Sequence, residues 1–203
     1  KVREGGVKVP IISWLTPIHD DFEGALQNQI DLAIPSIEHL TAVMKAAEKT
    51  KIKPRLHLEV DTGMTRGGAL GEWKALLHAT SDLLKSNRVS VIGIWSHFAR
   101  ADEPGHKFND EQIRNFEERV AEAAGYGIKP ELLHLSNSAA TLSNESAHYD
   151  LVRMGIAMYG LSPDVKNMGD SAKLNLHPVM SLRSQIHLVK DVPAGVQVGY
   201  GGT

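Results

Sequence analysis

Short apolar segments alternate with longer amphipathic segments along most of the chain. The apolar segments are rich in β-branched residues and read VPIISW, DLAIP, RLHLEVD, VSVIGIWSHF, ELLHLSN and LVRMGIAMYG. The segments between them have helical spacing and read SIEHLTAVMKAAEKT, GEWKALLHATSDLLK and NDEQIRNFEERVAEAAGYG. Nearly continuous apolar strands that alternate with helices predict βα units and a parallel sheet covered on its faces.

Two of the helical segments have recognisable ends. Ser36 is expected to cap the first of them, and Asn109 and Gly125 to start and stop the last one. The spacing also predicts which side chains face the core: Ile37, Leu40, Met44, Ile113, Phe116 and Val120.

About six βα units are visible, whereas a closed (β/α)8 barrel of the TIM type needs eight strands. The pattern changes after Pro163, so the two remaining units are expected before Lys1. From His177 onward, apolar and polar residues alternate around a PAG turn, as antiparallel strands do. We therefore predict a partial barrel over residues 1–165, a polar linker over 166–176, and the start of an all-β C-terminal domain over 177–203.

Composition narrows the range of functions. The chain of 203 residues has a net charge of −2 and no cysteine. This charge gives no reason to expect nucleic acid as a partner, and no apolar run reaches the roughly 20 residues that span a bilayer. The absence of cysteine excludes disulfides and thiolate metal sites and is typical of a cytoplasmic protein.

Polar residues follow four consecutive predicted strands, at the end where parallel barrels carry their active sites. The third strand leads to Glu59, Asp61 and Arg66, and the fourth to His97 and Asp102. The last two units contain Asn137, Ser138, Arg153, Gly155 and Ile156. Each position alone has a plain structural explanation, for example a helix cap at Asn137. Together they predict a ligand site.

Two features suggest an anionic ligand. Barrels often bind phosphate at the loops after their final strands, where helix N-termini and glycines expose backbone N–H groups. The permanent charge of Arg153 lies within an otherwise apolar segment, and burying an unpaired charge costs several kcal/mol. We therefore expect Arg153 to face a ligand.

Five segments carry a resemblance to a known family. They read HLEVDTGMTRGG, GIWSHFARAD, HLSNSAATL, DLVRMGIAMYGLSP and VQVGYGGT, and their order and spacing resemble those of the bacterial alanine racemases. The resemblance implies pyridoxal 5'-phosphate as the cofactor, alanine as the substrate, and a homodimer with composite active sites.

The resemblance also implies roles for individual residues. Arg153 corresponds to the arginine at the cofactor's pyridine nitrogen, and Arg66 to the one beside its phenolic oxygen and the substrate carboxylate. Tyr200 corresponds to a catalytic acid/base that reaches into the partner's barrel. His97 corresponds to the histidine linking that tyrosine to Arg153. The positions around the cofactor phosphate correspond to Asn137, Ser138, Gly155 and Ile156.

The chain departs from the family at two points. The lysine that binds the cofactor covalently is expected upstream of Lys1 and has no counterpart here. Glu59 occupies a position where many members have a carboxylated lysine. We expect Glu59 to supply the same negative charge and to orient Arg66, although it could also be a glutamate that points outward from a turn.

Three alternative functions remain open from the sequence. The first is a racemase of another amino acid. The second is a pyridoxal phosphate carrier without catalytic activity, which would have no reason to continue into the segment containing Tyr200. The third is a metal-dependent barrel hydrolase, whose ligands would be His57, Glu59, Asp61, His97 and His134. This reading leaves Arg153 unexplained, and we expect no metal.

Overall fold

The computed structural model describes residues 1–202 and contains one five-stranded parallel sheet. The strands follow chain order and are β1 Ile11–Ser13, β2 Ile30–Ile34, β3 Arg55–Glu59, β4 Ser90–Trp95 and β5 Leu132–His134. The sheet is strongly curved. The curvature brings the Trp14 ring, which follows β1, to within 5.4 Å of the Trp95 ring at the end of β4, three strands away. This arrangement is a partial (β/α)8 barrel, as predicted.

The helices pack on the convex side of the sheet. They are α1 Phe22–Gln27, α2 Ile37–Thr50, α3 Trp73–Lys85, α4 Lys107–Gly125, α5 Ser138–Ser143 and α6 Val165–Met168, with 3-10 turns at Glu145–Ala147 and Ile156–Tyr159. No helix in the described part of the chain is both long and apolar enough to cross a membrane.

Side chains alternate between the two sides of the sheet, as the pleat requires. One set packs in the hydrophobic core with the helices and includes Leu32, Ile34, Leu56, Leu58, Ile94 and Leu135. The other set is buried on the concave side and is largely polar or aromatic: Asp31, His57, Glu59, Trp95 and His134. The concave side therefore holds the functional chemistry.

The predicted helix ends are partly confirmed. Ser36 caps α2, and its hydroxyl accepts a hydrogen bond from the His39 N–H over 3.1 Å. The expectation that Asn109 caps α4 is wrong, because the helix begins earlier and His106 is its cap. Asn109 is instead buried within the first turn, where its amide donates to the Glu103 carbonyl.

The sixth apolar segment runs beside β5 without forming a regular strand. The backbone N–H of Asp150 donates to the Leu133 carbonyl, and that of Arg153 donates to the Ser136 carbonyl. The chain then turns into the 3-10 helix that begins at Ile156. These two bonds place Arg153 at the carboxyl end of β5.

The segment after His177 is irregular and exposed, and it forms no strand up to residue 202. The expected antiparallel pairing is thus not formed here, because a strand is stable only when another strand satisfies its backbone N–H and C=O groups. The expected linker is partly built into the barrel, since Met168 of α6 lies in the core. Thr203 lies outside the described residues, and the division into domains stays a prediction.

Candidate active site

Arg153 lies in the concave side of the sheet and is 8% exposed. Its Nη1 donates to His134 Nδ1 over 3.0 Å, and its Nη2 donates to the carbonyl oxygens of Ser96 and Leu135 over 2.6 and 3.2 Å. No carboxylate forms an ion pair with it within the described residues. The guanidinium is therefore held by neutral groups.

Two tryptophans complete this environment. The guanidinium carbon of Arg153 lies 4.6 Å from the centre of the Trp95 ring and 5.5 Å from that of Trp14. A cation close to an aromatic ring is attracted by the electron density of its face, more strongly where water is excluded. The two rings thus offset part of the cost of burying the charge.

One donor of Arg153 remains free for a ligand. Its Nε is buried and has no hydrogen-bond partner among the described residues. Burial lowers the pKa of Arg153 to about 10, with Glu59 opposing this shift and Arg66 adding to it. The group is therefore still charged at neutral pH, and a neutral acceptor such as a pyridine nitrogen fits its unpaired N–H.

His97 lies near Arg153 but is not hydrogen-bonded to it. Burial, and then the charges of Arg153 and Arg66, lower the pKa of His97 to about 4. Its Nδ1 is buried without a partner in the described part of the chain. Among the described residues no hydrogen bond joins His97 to Arg153, and His134 accepts from the guanidinium. The role of His97 as a link between Tyr200 and Arg153 stays a prediction.

Glu59 is a buried carboxyl group between two arginines. Burial raises its pKa to about 7, although the charges of Arg153 and Arg66 oppose the shift and that of Asp61 adds to it. No hydrogen bond or ion pair joins Glu59 to Arg66 among the described residues, although the charge of Arg66 acts on the pKa of Glu59. The orientation of Arg66 by Glu59 stays a prediction. Glu59 can change its protonation state near neutral pH.

The loop that presents Arg66 is closed by Asp61. The Asp61 Oδ1 atom accepts from the backbone N–H groups of Gly63, Met64 and Thr65 over 2.8 to 3.1 Å. The loop returns to β3 at Gly68, whose φ is +97° and where a Cβ atom would lie 2.7 Å from the Asp61 nitrogen. Asp61 is therefore a structural residue that positions the exposed Arg66.

The four predicted phosphate-site residues lie together where the start of α5 meets the start of the 3-10 helix Ile156–Tyr159. Asn137 caps α5 by accepting from the Ala140 N–H over 3.1 Å. The Ser138 hydroxyl accepts from the backbone N–H of Gly155 over 2.8 Å, and Ile156 follows as the first residue of the 3-10 helix. A Cβ atom on Gly155 would meet only that hydroxyl, at 3.8 Å, so the backbone here is open to a ligand.

The remaining catalytic expectation, Tyr200, lies away from this site. It lies in a turn of the irregular C-terminal segment and is fully exposed. Within one copy of the chain, the structure therefore brings together Glu59, Arg66, His97, Arg153 and the phosphate-site residues, but not Tyr200.

The residues that contact and orient Arg153 were not predicted from the sequence. His134 was predicted only as a metal ligand together with His57, and no role was predicted for Asp31 or Trp95. A usable signal was the alternation in RLHLE, which places His57 and Glu59 on the same side of β3. No three His, Asp or Glu side chains within residues 1–202 are grouped as metal ligands would be.

The structure is part of a parallel βα barrel. A buried arginine and a group of small residues lie at the carboxyl ends of its strands, which is the arrangement of a ligand-binding α/β-barrel protein. The family model for the N-terminal domain of alanine racemase matches residues 1–163, so the chain belongs to the alanine racemase family.

Individual relatives agree with this assignment. The chain is 40% identical to an alanine racemase of Salinispora tropica over 207 aligned residues, which cover 100% of this chain and 53% of that protein. A crystal structure of alanine racemase from Streptomyces lavendulae superimposes with a TM-score of 0.95 at 39% identity, covering 99% of this chain and 53% of the other. The alanine racemase of Streptomyces coelicolor superimposes at 0.93, covering 98% and 53%. The chain thus spans about half the length of the relatives it matches.

Proposed function

We propose that the whole protein is a pyridoxal 5'-phosphate-dependent racemase that interconverts L-alanine and D-alanine. The observation that carries the proposal is the unpaired Nε of the buried Arg153, which suits a neutral ring nitrogen. The named activity of relatives such as the Salinispora tropica protein supports the choice of reaction.

Each part of the cofactor would contact a different group of site residues. Arg153 would donate to the ring nitrogen, and Arg66 would serve the phenolic oxygen and the substrate carboxylate. The phosphate would lie among Asn137, Ser138, Gly155 and Ile156, where two helix N-termini and a serine hydroxyl converge. When bound, pyridoxal phosphate withdraws electrons from the substrate Cα and makes its proton acidic.

Arg153 would moderate this electron withdrawal. An arginine side chain can only donate hydrogen bonds, so it favours an unprotonated acceptor at the ring nitrogen. An unprotonated ring is a weaker electron sink. This favours rapid return of the proton to Cα, which is the only net chemistry that a racemase requires.

Proton transfer on the two faces of the substrate requires two bases. The Tyr200 phenol would serve one face, and the resemblance assigns the other to a lysine on the first barrel strand. Because Tyr200 is fully exposed and lies outside the barrel of its own chain, it would act in the barrel of a second copy, as the resemblance implies. A homodimer with composite active sites follows, in which the unpaired Nδ1 of His97 could face the incoming phenol.

Glu59 would supply a negative charge near Arg66 and Arg153. As a carboxylate it would hold Arg66 electrostatically for the substrate, in place of the carbamate of other members. A Glu59→Gln variant with unchanged alanine affinity and rate would argue against this role.

In the cell, the expected product is D-alanine for peptidoglycan, and the expected location is the cytoplasm. Both follow from the proposed activity.

The test is a stereospecific assay of the whole protein with pyridoxal phosphate and L-alanine. We expect D-alanine to form, and an Arg153→Lys variant to lose about a hundredfold in kcat because lysine cannot reproduce the planar contacts. Arg100→Lys is the matched control, since Arg100 pairs only with the surface residue Glu103.

Other outcomes would identify the alternatives. Turnover of serine or a basic amino acid in preference to alanine would indicate another substrate. Cofactor binding without any turnover would indicate a carrier protein. Failure to bind pyridoxal phosphate would contradict the proposal altogether.

A further inference from the structure

A buried row of polar side chains extends from Arg153 through the interior of the partial barrel. Arg153 donates to His134 Nδ1 over 3.0 Å, and His134 Nε2 lies 2.9 Å from His57 Nδ1. His57 Nε2 then lies 3.5 Å from Asp31 Oδ2. At the amino end of the sheet, Arg55 binds both oxygens of Asp31 over 2.8 and 3.1 Å.

The chemistry of these groups allows only one arrangement of protons. Arginine cannot accept, so His134 must accept at Nδ1 and carry its proton on Nε2. That proton is donated to His57 Nδ1, which must therefore be unprotonated as well. The proton of His57 consequently lies on Nε2 and faces the Asp31 carboxylate. Both imidazoles are neutral, and every donor in the row points toward Asp31.

Gly93 of β4 gives the two imidazoles the space in which to meet. It lies between β3 and β5 and is paired in register with His57. A Cβ atom on Gly93 would fall within 2.3 Å of His57 Nδ1 and 3.1 Å of His134 Nε2. Any side chain at this position would separate the histidines.

The electrostatics agree with this arrangement. Burial, followed by the charge of Arg153, lowers the pKa of His134 to about 2, which keeps the ring neutral. Burial alone would raise the pKa of Asp31, but the contacts with His57 and Arg55 outweigh it and lower the pKa. The row therefore ends on an acceptor that is ionised at neutral pH.

We propose that Asp31, His57 and His134 form an oriented hydrogen-bond relay that fixes the position of the Arg153 guanidinium, with Arg55 anchoring its far end and Gly93 providing clearance. These are positioning residues, because they act on the cofactor site only through Arg153. The catalytic consequence rests on the proposed function, whereas the relay itself does not.

Nitrogen NMR of the whole protein with ¹⁵N-labelled histidine tests the relay directly. The resonances of His57 and His134 are assigned by loss in the His57→Gln and His134→Gln variants. We expect both rings to carry their proton on Nε2, and His134 to show no titration between about pH 6 and about pH 8. A proton on Nδ1 of either ring, or titration of His134 over this range, would overturn the proposal.

The Asp31→Asn variant tests the positioning role. An amide offers one acceptor where Arg55 and His57 now share two, so the orientation of the row is no longer unique. We expect a mixture of imidazole tautomers, and a fall of about tenfold in kcat with KM for alanine within about twofold, because the displaced arginine contacts the cofactor rather than the substrate. Asp82→Asn, at an exposed Asp on α3, is the matched control.

The results separate the two proposals. Unchanged tautomers, or altered tautomers with an unchanged kcat, would contradict the positioning role. If the wild-type rings behave as expected but the protein does not racemise alanine, the relay stands and the proposed function fails. If Asp31→Asn does not fold, the wild-type measurement still decides whether the relay exists.

Discussion

The guanidinium of Arg153 lies 4.6 Å from the centre of the Trp95 ring, and that ring stacks on His134 with an interplanar angle of 3°. Trp95 thus contacts both the buried cation and the imidazole that holds it. The charge of Glu59 acts on Arg153, but no hydrogen bond or ion pair joins the two among the described residues. The cation is stabilised by aromatic faces and neutral acceptors, which leaves its free N–H available to a ligand.

Trp95→Leu should lower both the free energy of unfolding and the affinity for pyridoxal phosphate. Truncating a fully buried tryptophan costs roughly 2–4 kcal/mol of unfolding free energy, and losing the ring face should reduce pyridoxal phosphate affinity about tenfold. Denaturant unfolding and cofactor titration measure the two effects. Trp95→Phe, which keeps an aromatic face, should recover much of the affinity.

Trp73→Leu is the control for Trp95→Leu. Trp73 is equally buried but lies in the core cluster with the helices. We expect a comparable loss of stability with unchanged cofactor affinity. Equal loss of affinity in both variants would mean that Trp95 acts only through general packing.

Glu59→Gln should change how stability depends on pH. The folded-state pKa of about 7 is above the ordinary value of 4.5, so the protonated carboxyl stabilises the fold fully below about pH 4.5. This contribution is lost as the pH rises to 7. Relative to wild type, the glutamine variant should therefore gain on the order of 3 kcal/mol between about pH 4 and about pH 8.

Urea unfolding of both proteins across this pH range measures the difference. Glu38→Gln, at an exposed position on α2, is the matched control for the substitution itself. A constant difference between wild type and Glu59→Gln over the whole range would show that Glu59 has the same pKa in the folded and unfolded states.

Gly68→Ala should disturb the loop that presents Arg66. The positive φ of Gly68 and the close approach to the Asp61 nitrogen exclude a Cβ atom without backbone movement. We expect a loss of more than about 1 kcal/mol in stability and a raised KM for alanine. Gly71→Ala, where a Cβ atom would meet nothing within 4 Å, should leave both values close to those of wild type.

Tyr200→Phe should remove proton transfer on one face of the substrate. Racemisation should fall about a thousandfold or more, while exchange of the Cα proton with deuterated solvent should persist from the enantiomer served by the lysine. Mass spectrometry of each recovered enantiomer measures this asymmetry. Undiminished exchange from both enantiomers would show that Tyr200 is not the second base.

The alternating segments were sufficient to predict the parallel barrel, and the strand ends were sufficient to predict most of the site. Both depend on local patterns, because strand and helix periodicities and the common edge of parallel strands are visible along the chain. The helix start at His106 was missed because Asn109 is also a good capping residue, and only its buried contact with Glu103 places it inside the helix.

By itself, the sequence determined the fold class, the family resemblance and the set of residues around Arg66, Ser138 and Arg153. Only the tertiary structure shows that His134 accepts a hydrogen bond from Arg153, and that Gly93 leaves His57 the space to reach His134. These contacts join β3, β4 and β5, which are far apart in sequence. Their geometry depends on strand register and on the curvature of the sheet, neither of which a local pattern specifies.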